Sequence, residues 1–243
     1  MKNFNYLYFL LGTKLLWPLL YNWANILLVF LEIILSLNLE FWGAGTARTL
    51  RPIWMAEELN LKYKLYPIGP RTGETQTEEY RKLNPKQKIP LLRHEDFLLS
   101  ESIAICRYLQ RISDSSKIFI PKDHMSMAQE DEWCNFIYGE LDETSLYVMR
   151  RHYDLKSIYG DAPKVVDTCR NYFLKQLEVV ENILKDQNTL FGYDFGLADI
   201  LLATCLDWAK AYEFELPKNV LNYHNRIKSR KAYQKAFEIN YKR

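Results

Sequence analysis

The sequence predicts an α/β domain followed by an all-helical domain, with a separate apolar segment in front of both. Short β-rich stretches alternate with helical ones between residues 38 and 112, as in a layered α/β unit. After Met125 the apolar residues follow helical spacing. The expected parts are a hydrophobic N-terminal segment at 1–37, the α/β domain at 38–112, a linker at 113–124 and the helical domain at 125–243.

Composition and charge exclude several classes of protein. The chain has 243 residues, of which 48% are hydrophobic and 26% charged, so it can bury a core and is not a disordered protein. A formal net charge of +2 argues against a nucleic-acid-binding protein. The four cysteines stand apart and the four histidines have no ligand spacing, so we expect no metal, no disulfide scaffold and a reducing compartment.

The first 38 residues are poor in charge, with only Lys2, Lys14 and Glu32. Residues 15–37 are 23 mostly apolar positions, and a helix of that length spans about 30 Å of hydrocarbon. Glu32 opposes insertion, since a carboxylate at mid-membrane costs about 2.5–3.5 kcal/mol, but it lies near the end of the run. The segment is a candidate membrane anchor; the alternatives are a helix packed on the protein and upstream sequence outside the mature chain.

The elements of the first domain are expected in the order βαβαββα. Its strands are predicted at 39–42, 62–67, 89–92 and 96–99. The polar stretch at 69–88 is expected to be a loop with one helical turn.

Cap signals place the two main helices of this domain. The first is expected to begin after Thr49 as its cap, with Pro52 in the first turn, where a missing N–H does no harm, and Asn60 closing it. Ser100 is expected to cap the helix that follows the last strand.

Three motifs in this domain match, in order, those of a known family. R-P-I-W-M-A-E-E-L at 51–59 resembles a first-helix signature, L-N-P-K-Q-K-I-P-L-L at 83–92 a strand entered through a cis-proline, and L-S-E-S-I-A-I-C-R-Y-L at 99–109 a segment that binds a γ-glutamyl group. Together they resemble the thioredoxin-like domain of the cytosolic-type glutathione S-transferases, in a bacterial-like member. The resemblance implies a thioredoxin-like fold, glutathione as co-substrate, a role in detoxification and a homodimer.

The same resemblance implies a glutathione site. A cis bond at Ile89–Pro90 would turn the Ile89 backbone outward to pair with an extended peptide, with Gln87 and Lys88 beside it. The alternatives are an ordinary trans proline and, for the lysines of this stretch, simple solvation.

The γ-glutamyl end of glutathione is implied to bind at Glu101 and Ser102. Glu101 could take the ammonium, while the Ser102 hydroxyl and the free N–H groups of a helix N-terminus favour the carboxylate. The alternative is a plain helix cap, with Ser100 as the cap residue and Glu101 complementing the helix dipole.

The sequence departs from the family at the residue that stabilises the glutathione thiolate. An unperturbed thiol titrates near pH 8.5, so a donor that lowers its pKa is needed at neutral pH. Many bacterial members have a serine four positions before the arginine that matches Arg51, but here that position is Ala47. Thr46 is the first candidate and Arg48 the second, with Thr49 assigned to the helix cap.

The second domain is expected to consist of five helices, at about 125–153, 161–187, 196–212, 217–227 and 229–240. The segment F-G-L-A-D-I resembles the family's capping motif, in which Asp199 bonds free N–H groups at a helix start. Arg150–His152 is expected to be a solvated helix end. Aromatic side chains are expected mainly in the core or in an interface, with some able to line a pocket: Trp133, Tyr138, Tyr147, Tyr153 and Trp208.

The function predicted from the sequence is that of a glutathione S-transferase, which activates glutathione as a thiolate and transfers it to a small, apolar electrophile. The alternative is a non-catalytic glutathione-binding or protein-interaction module of the same fold, which the missing donor at Ala47 favours. A cytoplasmic location is expected, tethered to the cytoplasmic face of a membrane if residues 15–37 insert.

Overall fold

A computed structural model describes residues 38–115, 117–192 and 194–242. The predicted anchor at 15–37 lies outside these residues, as does the whole segment 1–37. Within the described ranges, none of the helices combines the length and the apolar character needed to cross a bilayer.

The first part of the fold is a four-stranded mixed sheet with helices packed on it. Its strands are β1 Leu39–Trp42, β2 Tyr63–Tyr66, β3 Leu91–His94 and β4 Phe97–Ser100. They lie in the order β2-β1-β3-β4, with β1 parallel to β2 and the other pairs antiparallel. The helices are α1 Ala47–Glu58, α2 Glu78–Leu83 and α3 Ser102–Ile112, with a short 3₁₀ turn at Glu74–Gln76. The predicted thioredoxin-like order is confirmed.

Helix α1 begins three residues earlier than predicted. Thr46, not Thr49, is its cap residue, because Thr46 and Thr49 form a reciprocal capping box. Pro52 therefore lies in the second turn, inside the helix, where it removes one backbone hydrogen bond. Asn60, at φ 56°, takes the left-handed conformation expected of a residue that ends a helix.

The predicted cap of α3 is also wrong. Ser100 is the last residue of β4, paired with Leu91, so its backbone belongs to the sheet. The residue before the helix is Glu101, which has φ 74° and makes no capping bond with its side chain.

The second part of the fold is helical. The stretch predicted as one helix at 125–153 is continuous, but its middle is a π-helical segment, Ile137–Tyr147. Such wide turns are rare and often occur at functional sites. In chain order the helices are α4 His124–Phe136, the π-helical segment, α5 Val148–His152, α6 Lys156–Tyr159, α7 Pro163–Ile183, α8 Leu197–Ala211, α9 Lys218–Lys228 and α10 Lys231–Tyr241.

Helix α8 is the buried centre of the helical part. The Asp199 carboxylate accepts the N–H of Gly196 at 2.9 Å and of Leu190 at 3.1 Å, and the Tyr223 hydroxyl at 2.8 Å. The capping role predicted for Asp199 is therefore observed, with a second anchor on α9.

Helix α1 joins the two parts of the fold. Glu58, near its end, accepts two bonds from the Arg230 guanidinium, at 2.7 and 2.8 Å, and one from the Trp54 indole at 2.9 Å. At its start, the side chain of Asn240 on α10 bonds the residues of the capping box. Both ends of α1 are thus fixed by the C-terminal helices, which sets the position of the residues around Thr46.

Candidate functional site

A cavity of about 600 Å³ opens between the start of α1 and the helical part of the fold. One wall belongs to the α/β part and is formed by Gly45–Arg48, Pro70, Arg71, Thr75, Gln76 and Gln87–Ile89. The other wall belongs to the helical part and is formed by Tyr147, Arg150, Tyr159, Asp207, Trp208, Ala211, Phe237 and Tyr241.

Five of the predicted site residues line this one cavity, although they come from two separate stretches of the chain. They are Thr46, Arg48, Gln87, Lys88 and Ile89. The other three do not line it: Pro90 and Ser102 are buried, and Glu101 is exposed beyond its edge.

The loop before β3 has the geometry expected of a peptide-binding edge. The Ile89–Pro90 bond is cis. The Lys88 carbonyl accepts the Tyr80 hydroxyl at 2.7 Å and the Asn84 amide at 2.8 Å, which fixes the loop from behind. The backbone N–H and C=O of Ile89 form no hydrogen bond with any other described residue, so both are available to a ligand.

Gly43 allows this loop to approach β1 closely. It has φ 120°, and a Cβ at this position would lie 2.7 Å from the Ile89 Cβ and 2.8 Å from the Thr49 Cγ2. A residue with a side chain would push Ile89 out of place, so the glycine sets the width of the cavity at this wall.

Thr46 caps α1 with the lone pair of its hydroxyl and not with its proton. Its Oγ1 accepts the Thr49 N–H at 3.0 Å. The Thr49 hydroxyl in turn lies 2.8 Å from the Asn240 Oδ1, to which it can donate. The Thr46 and Thr49 hydroxyl oxygens also lie 3.0 Å apart, and either can donate to the other. The Thr46 hydroxyl can therefore cap the helix while its hydrogen points either to the Thr49 Oγ1 or to a ligand in the cavity. Ala47 lines the same wall and offers no side-chain donor.

Arg48 lines the cavity, but its guanidinium is already paired with two carboxylates. One terminal nitrogen lies 2.6 Å from the Asp142 Oδ1 and 2.5 Å from the Glu143 Oε2. The guanidinium also lies over the Tyr147 ring, 4.4 Å from its centroid. Most of the charge of Arg48 is thus compensated before any ligand binds.

Asp142 connects Arg48 to a second arginine in the core, Arg51. The Arg51 guanidinium has no solvent exposure and lies 2.5 Å from the Asp142 Oδ2, 2.9 Å from the Thr204 hydroxyl and 3.4 Å from the Ser102 hydroxyl. Burial alone would raise the pKa of Asp142, but the charges of Arg51 and Arg48 hold it below its usual value. The pair joins α1 to the π-helical segment.

Sequence reasoning did not find this pair. Arg51 was used only as part of a motif, and Asp142 was not singled out. The available signal was the charge of Arg51 within the mostly apolar stretch L-R-P-I-W, whereas Asp142 stands among other carboxylates in G-E-L-D-E-T and carries no such signal. A buried charge needs a partner, but only the fold determines which one.

Glu101 and Ser102 have partners of their own. The Glu101 Oε1 lies 2.8 Å from the Lys86 Nζ, on the surface, so Lys86 is ion-paired and not merely solvated. Ser102 is 5% exposed, and its hydroxyl faces Arg51.

Arg150 and Arg151 are not the solvated helix end that was predicted. Both are partly buried, because α6 and the residues around it fold back over α5. The Arg151 guanidinium lies 4.7 Å from the centroid of the Tyr147 ring, and Arg150 lines the cavity.

The mixed sheet, the cis-proline edge and the helical part together define a thioredoxin-like domain joined to an all-helical domain. The family described as "Glutathione S-transferase, N-terminal domain" matches residues 37–111, and "Glutathione S-transferase, C-terminal domain" matches residues 139–231. The chain therefore belongs to the glutathione S-transferase family, as its motifs predicted.

Curated relatives agree with this assignment. The chain is 27% identical over 172 residues to glutathione S-transferase theta-1 of Bos taurus, covering 69% of this chain and 72% of that protein. It is 29% identical over 163 residues to glutathione S-transferase GstA of Escherichia coli O157:H7, covering 65% and 77%. It is 28% identical over 208 residues to glutathione S-transferase hmp2 of Hypomyces subiculosus, covering 82% and 97%.

Solved structures share the fold. The glutathione transferase URE2P6 of Phanerochaete chrysosporium, in complex with oxidized glutathione, superposes with a TM-score of 0.75 at 22% identity, covering 84% of this chain and 97% of that one. A theta class enzyme of Xanthomonas axonopodis pv. citri, with glutathione bound, superposes with a TM-score of 0.68 at 22% identity, covering 82% and 97%. The prediction of a transferase that uses glutathione is confirmed at the level of the family.

Proposed function

We propose that this protein binds glutathione along the Ile89 edge of the cavity, holds its sulfur as a thiolate near Thr46, and transfers it to an electrophile. The observation that carries the proposal is that the unpaired backbone groups of Ile89 and the hydroxyl of Thr46 line the same cavity. An extended peptide paired with Ile89 can direct its cysteine side chain towards the start of α1.

The ends of glutathione have complementary groups on either side of this edge. Gln87 and Lys88 line the cavity beside Ile89 and suit the glycine carboxylate. Glu101 is exposed at the start of α3, and only its Oε1 is bonded to Lys86, so its other oxygen is available to the ammonium of the γ-glutamyl group. Ser102 is buried against Arg51, so we assign it a structural role next to the γ-glutamyl site. We expect the backbone N–H groups at the start of α3 to bind the γ-glutamyl carboxylate.

Thr46 is the donor that we assign to the thiolate, in preference to Arg48. Its hydroxyl can rotate to point its hydrogen away from the Thr49 Oγ1 and towards a thiolate, whereas the guanidinium of Arg48 is compensated by Asp142 and Glu143. The N-terminus of the 12-residue helix α1 adds a favourable dipole. Each unit by which the thiol pKa falls corresponds to about 1.4 kcal/mol of preferential thiolate stabilisation.

The transfer step needs no cofactor. The glutathione thiol gives its proton to solvent, the sulfur lone pair forms a bond to the electrophilic carbon, and the leaving group departs with its electron pair. Holding the two reactants side by side supplies most of the rate enhancement, together with the stabilised thiolate.

Titration of bound glutathione tests the assignment. Thiolate absorbance is measured against pH in the wild type, in Thr46→Val, which removes the hydroxyl, and in Thr46→Ser, which keeps it. We expect the thiol pKa to be below 8.5 in the wild type and Thr46→Ser, and to rise by about one unit in Thr46→Val. Because Thr46 also caps α1, the thermal unfolding of each variant is measured as well. If both variants are folded and the thiol pKa differs between them, the Thr46 hydroxyl is the group that stabilises the thiolate.

The second candidate function is a non-catalytic glutathione-binding module. Ala47 favours it, because the position where many members have a serine carries no donor. Wild-type protein that binds glutathione with an unshifted thiol pKa and transfers it to no electrophile would support this module and contradict the transferase.

A homodimer is part of the proposal. Phe97 and Leu98 are 48% and 37% exposed on β4, the edge strand of the sheet, and a second copy could cover them. Sedimentation equilibrium of the full chain tests this: a dimer that Phe97→Ser converts to monomer supports the surface, and a monomeric wild type contradicts it.

We also propose a cytoplasmic location with attachment through residues 15–37. The four cysteines are buried and unpaired, which suits a reducing compartment. Carbonate extraction of membranes from cells that express the full chain tests the attachment, and release into the soluble fraction contradicts it.

A further inference from the structure

The helical wall of the cavity contains a cation that has no carboxylate partner among the described residues. Arg150 is partly buried and lines the cavity. Within the part of the chain that the structure describes it forms no ion pair, unlike Arg48 on the opposite wall. Asp154, four residues further on, bonds the Tyr212 hydroxyl and forms no ion pair with Arg150, although the charge of Arg150 also acts on that hydroxyl. A guanidinium that lines a cavity and has no carboxylate beside it can pair with an anion supplied by a ligand.

The other charges of the cavity have partners or belong to the glutathione edge. Lys88 and Arg71 lie on the α/β wall, near the proposed glycine carboxylate. Among the described lining residues the one carboxylate is Asp207, and it accepts the Tyr233 hydroxyl at 2.9 Å and lies 2.8 Å from the His224 Nε2. The glutathione thiolate and carboxylates are expected at the α/β wall, so they do not pair with Arg150.

Aromatic rings lie on the same wall of the cavity as Arg150. Trp208, Phe237 and Tyr241 line the cavity, as does Tyr147, whose ring already lies against the guanidiniums of Arg48 and Arg151. Flat rings of this kind favour a planar apolar group through stacking. The wall therefore combines apolar faces with one unpaired cation, which suits an aromatic molecule that carries an acidic substituent.

We propose that the second substrate is an aromatic electrophile with an anionic group, such as a carboxylate, which pairs with Arg150. This inference rests on the proposed transferase function and narrows its substrate class from a purely apolar electrophile to an acidic one. The aromatic rings orient the electrophilic carbon, and Arg150 holds the acidic end away from the glutathione sulfur.

A matched pair of electrophiles tests the charge preference. One is a chlorodinitrobenzoate with the chlorine para to the carboxylate, and the other is its uncharged methyl ester. In both, the glutathione sulfur bonds the ring carbon that carries chlorine, chloride leaves with the bonding electrons, and the thiol proton goes to solvent. Each kcat/KM is divided by the rate constant of the uncatalysed reaction with glutathione, which removes the difference in ring activation.

We expect the normalised kcat/KM for the carboxylate to exceed that for the ester in the wild type. Arg150→Gln should lower the value for the carboxylate by about 10-fold and leave that for the ester within about twofold, as loss of one charge-assisted bond implies. Arg150→Lys should restore part of the loss. Arg111→Gln removes a charge from an exposed position outside the cavity and is the matched control, with both electrophiles unaffected.

Failure of this inference and failure of the transferase proposal are distinguishable. Turnover of both electrophiles with equal normalised values, or an equal effect of Arg150→Gln on both, overturns the anionic preference and leaves the transferase intact. If neither is turned over, the transferase proposal fails, and quenching of tryptophan fluorescence by the carboxylate decides the inference. Quenching that Arg150→Gln weakens supports an anion site, and quenching that it leaves unchanged contradicts one.

Discussion

The side-chain amide of Asn240, on the last helix, holds the residues around Thr46, at the start of the first. Its Nδ2 donates to the Thr46 carbonyl at 3.1 Å, and its Oδ1 accepts the Thr49 hydroxyl at 2.8 Å and the Gly45 N–H at 3.2 Å. Asn240 is fully buried. The C-terminal helix thus fixes the loop that presents the proposed donor to the cavity.

Replacing Asn240 by Ala should loosen this loop. The substitution leaves buried polar groups without partners, and we expect a loss of roughly 2 kcal/mol or more in the free energy of unfolding. Under conditions where the variant is folded, kcat should fall more than glutathione affinity, because the Ile89 edge is unchanged. Urea unfolding and steady-state kinetics measure both, with exposed Asn225→Ala as the control. A variant with wild-type kcat would show that Asn240 does not position Thr46.

Asp142 forms ion pairs with both Arg48 and Arg51, so its replacement should strongly destabilise the fold. Asp142→Asn leaves Arg51 buried without a counter-charge, and breaking a buried pair of this kind costs about 3–5 kcal/mol. Glu143→Gln is the matched control: Glu143 is 40% exposed and pairs with Arg48 alone, so its change should cost little. Chemical unfolding at neutral pH compares them, and similar losses in both variants would contradict the role of Asp142.

The effect of Asp142→Asn on stability should depend on pH. The pKa of Asp142 is lower in the folded state, so its contribution to stability is present above its ordinary pKa near 4 and is lost as pH falls through the folded value. The stability difference between wild type and Asp142→Asn should therefore shrink below about pH 4. Unfolding curves recorded between neutral and acid pH measure this, and a constant difference would contradict it.

Gly43 should not tolerate a side chain, because a Cβ at this position would clash with Ile89, and Gly160 provides a control for backbone strain without a clash. Gly43→Ala combines positive φ with a clash against Ile89, whereas Gly160 has φ 89° and nothing within 4 Å of its added Cβ. Gly160→Ala therefore reports the cost of backbone strain alone, about 1–3 kcal/mol for a conformation with φ 89° and ψ 146°. We expect Gly43→Ala to lose more stability than this and to weaken glutathione binding by displacing Ile89. Calorimetric titration with glutathione checks the second effect; unchanged affinity would contradict it.

Local patterns predicted most of the fold. The alternation of β-rich and helical stretches gave the strand order along the chain, and Pro90, Asp199 and Asn60 take the backbone roles that their residue types favour. These features depend on residues that are only a few positions apart in the chain, so they can be predicted from one sequence. Even so, the cap of α1 is Thr46 and not the predicted Thr49, because the two threonines form a reciprocal capping box in which Thr49 is the third helical residue.

The site was only partly predictable, because its remaining contacts join distant residues. The sequence by itself determined membership of the transferase family, the Ile89 edge and the candidacy of Thr46. Only the tertiary structure decided that Asp142 neutralises Arg48 and Arg51, that Asn240 fixes the Thr46 loop, and that Arg150 faces the cavity. A buried charge or amide requires a partner, but the composition of the sequence and the spacing of its residues do not identify that partner. The partners come together only when the other helices pack on α1.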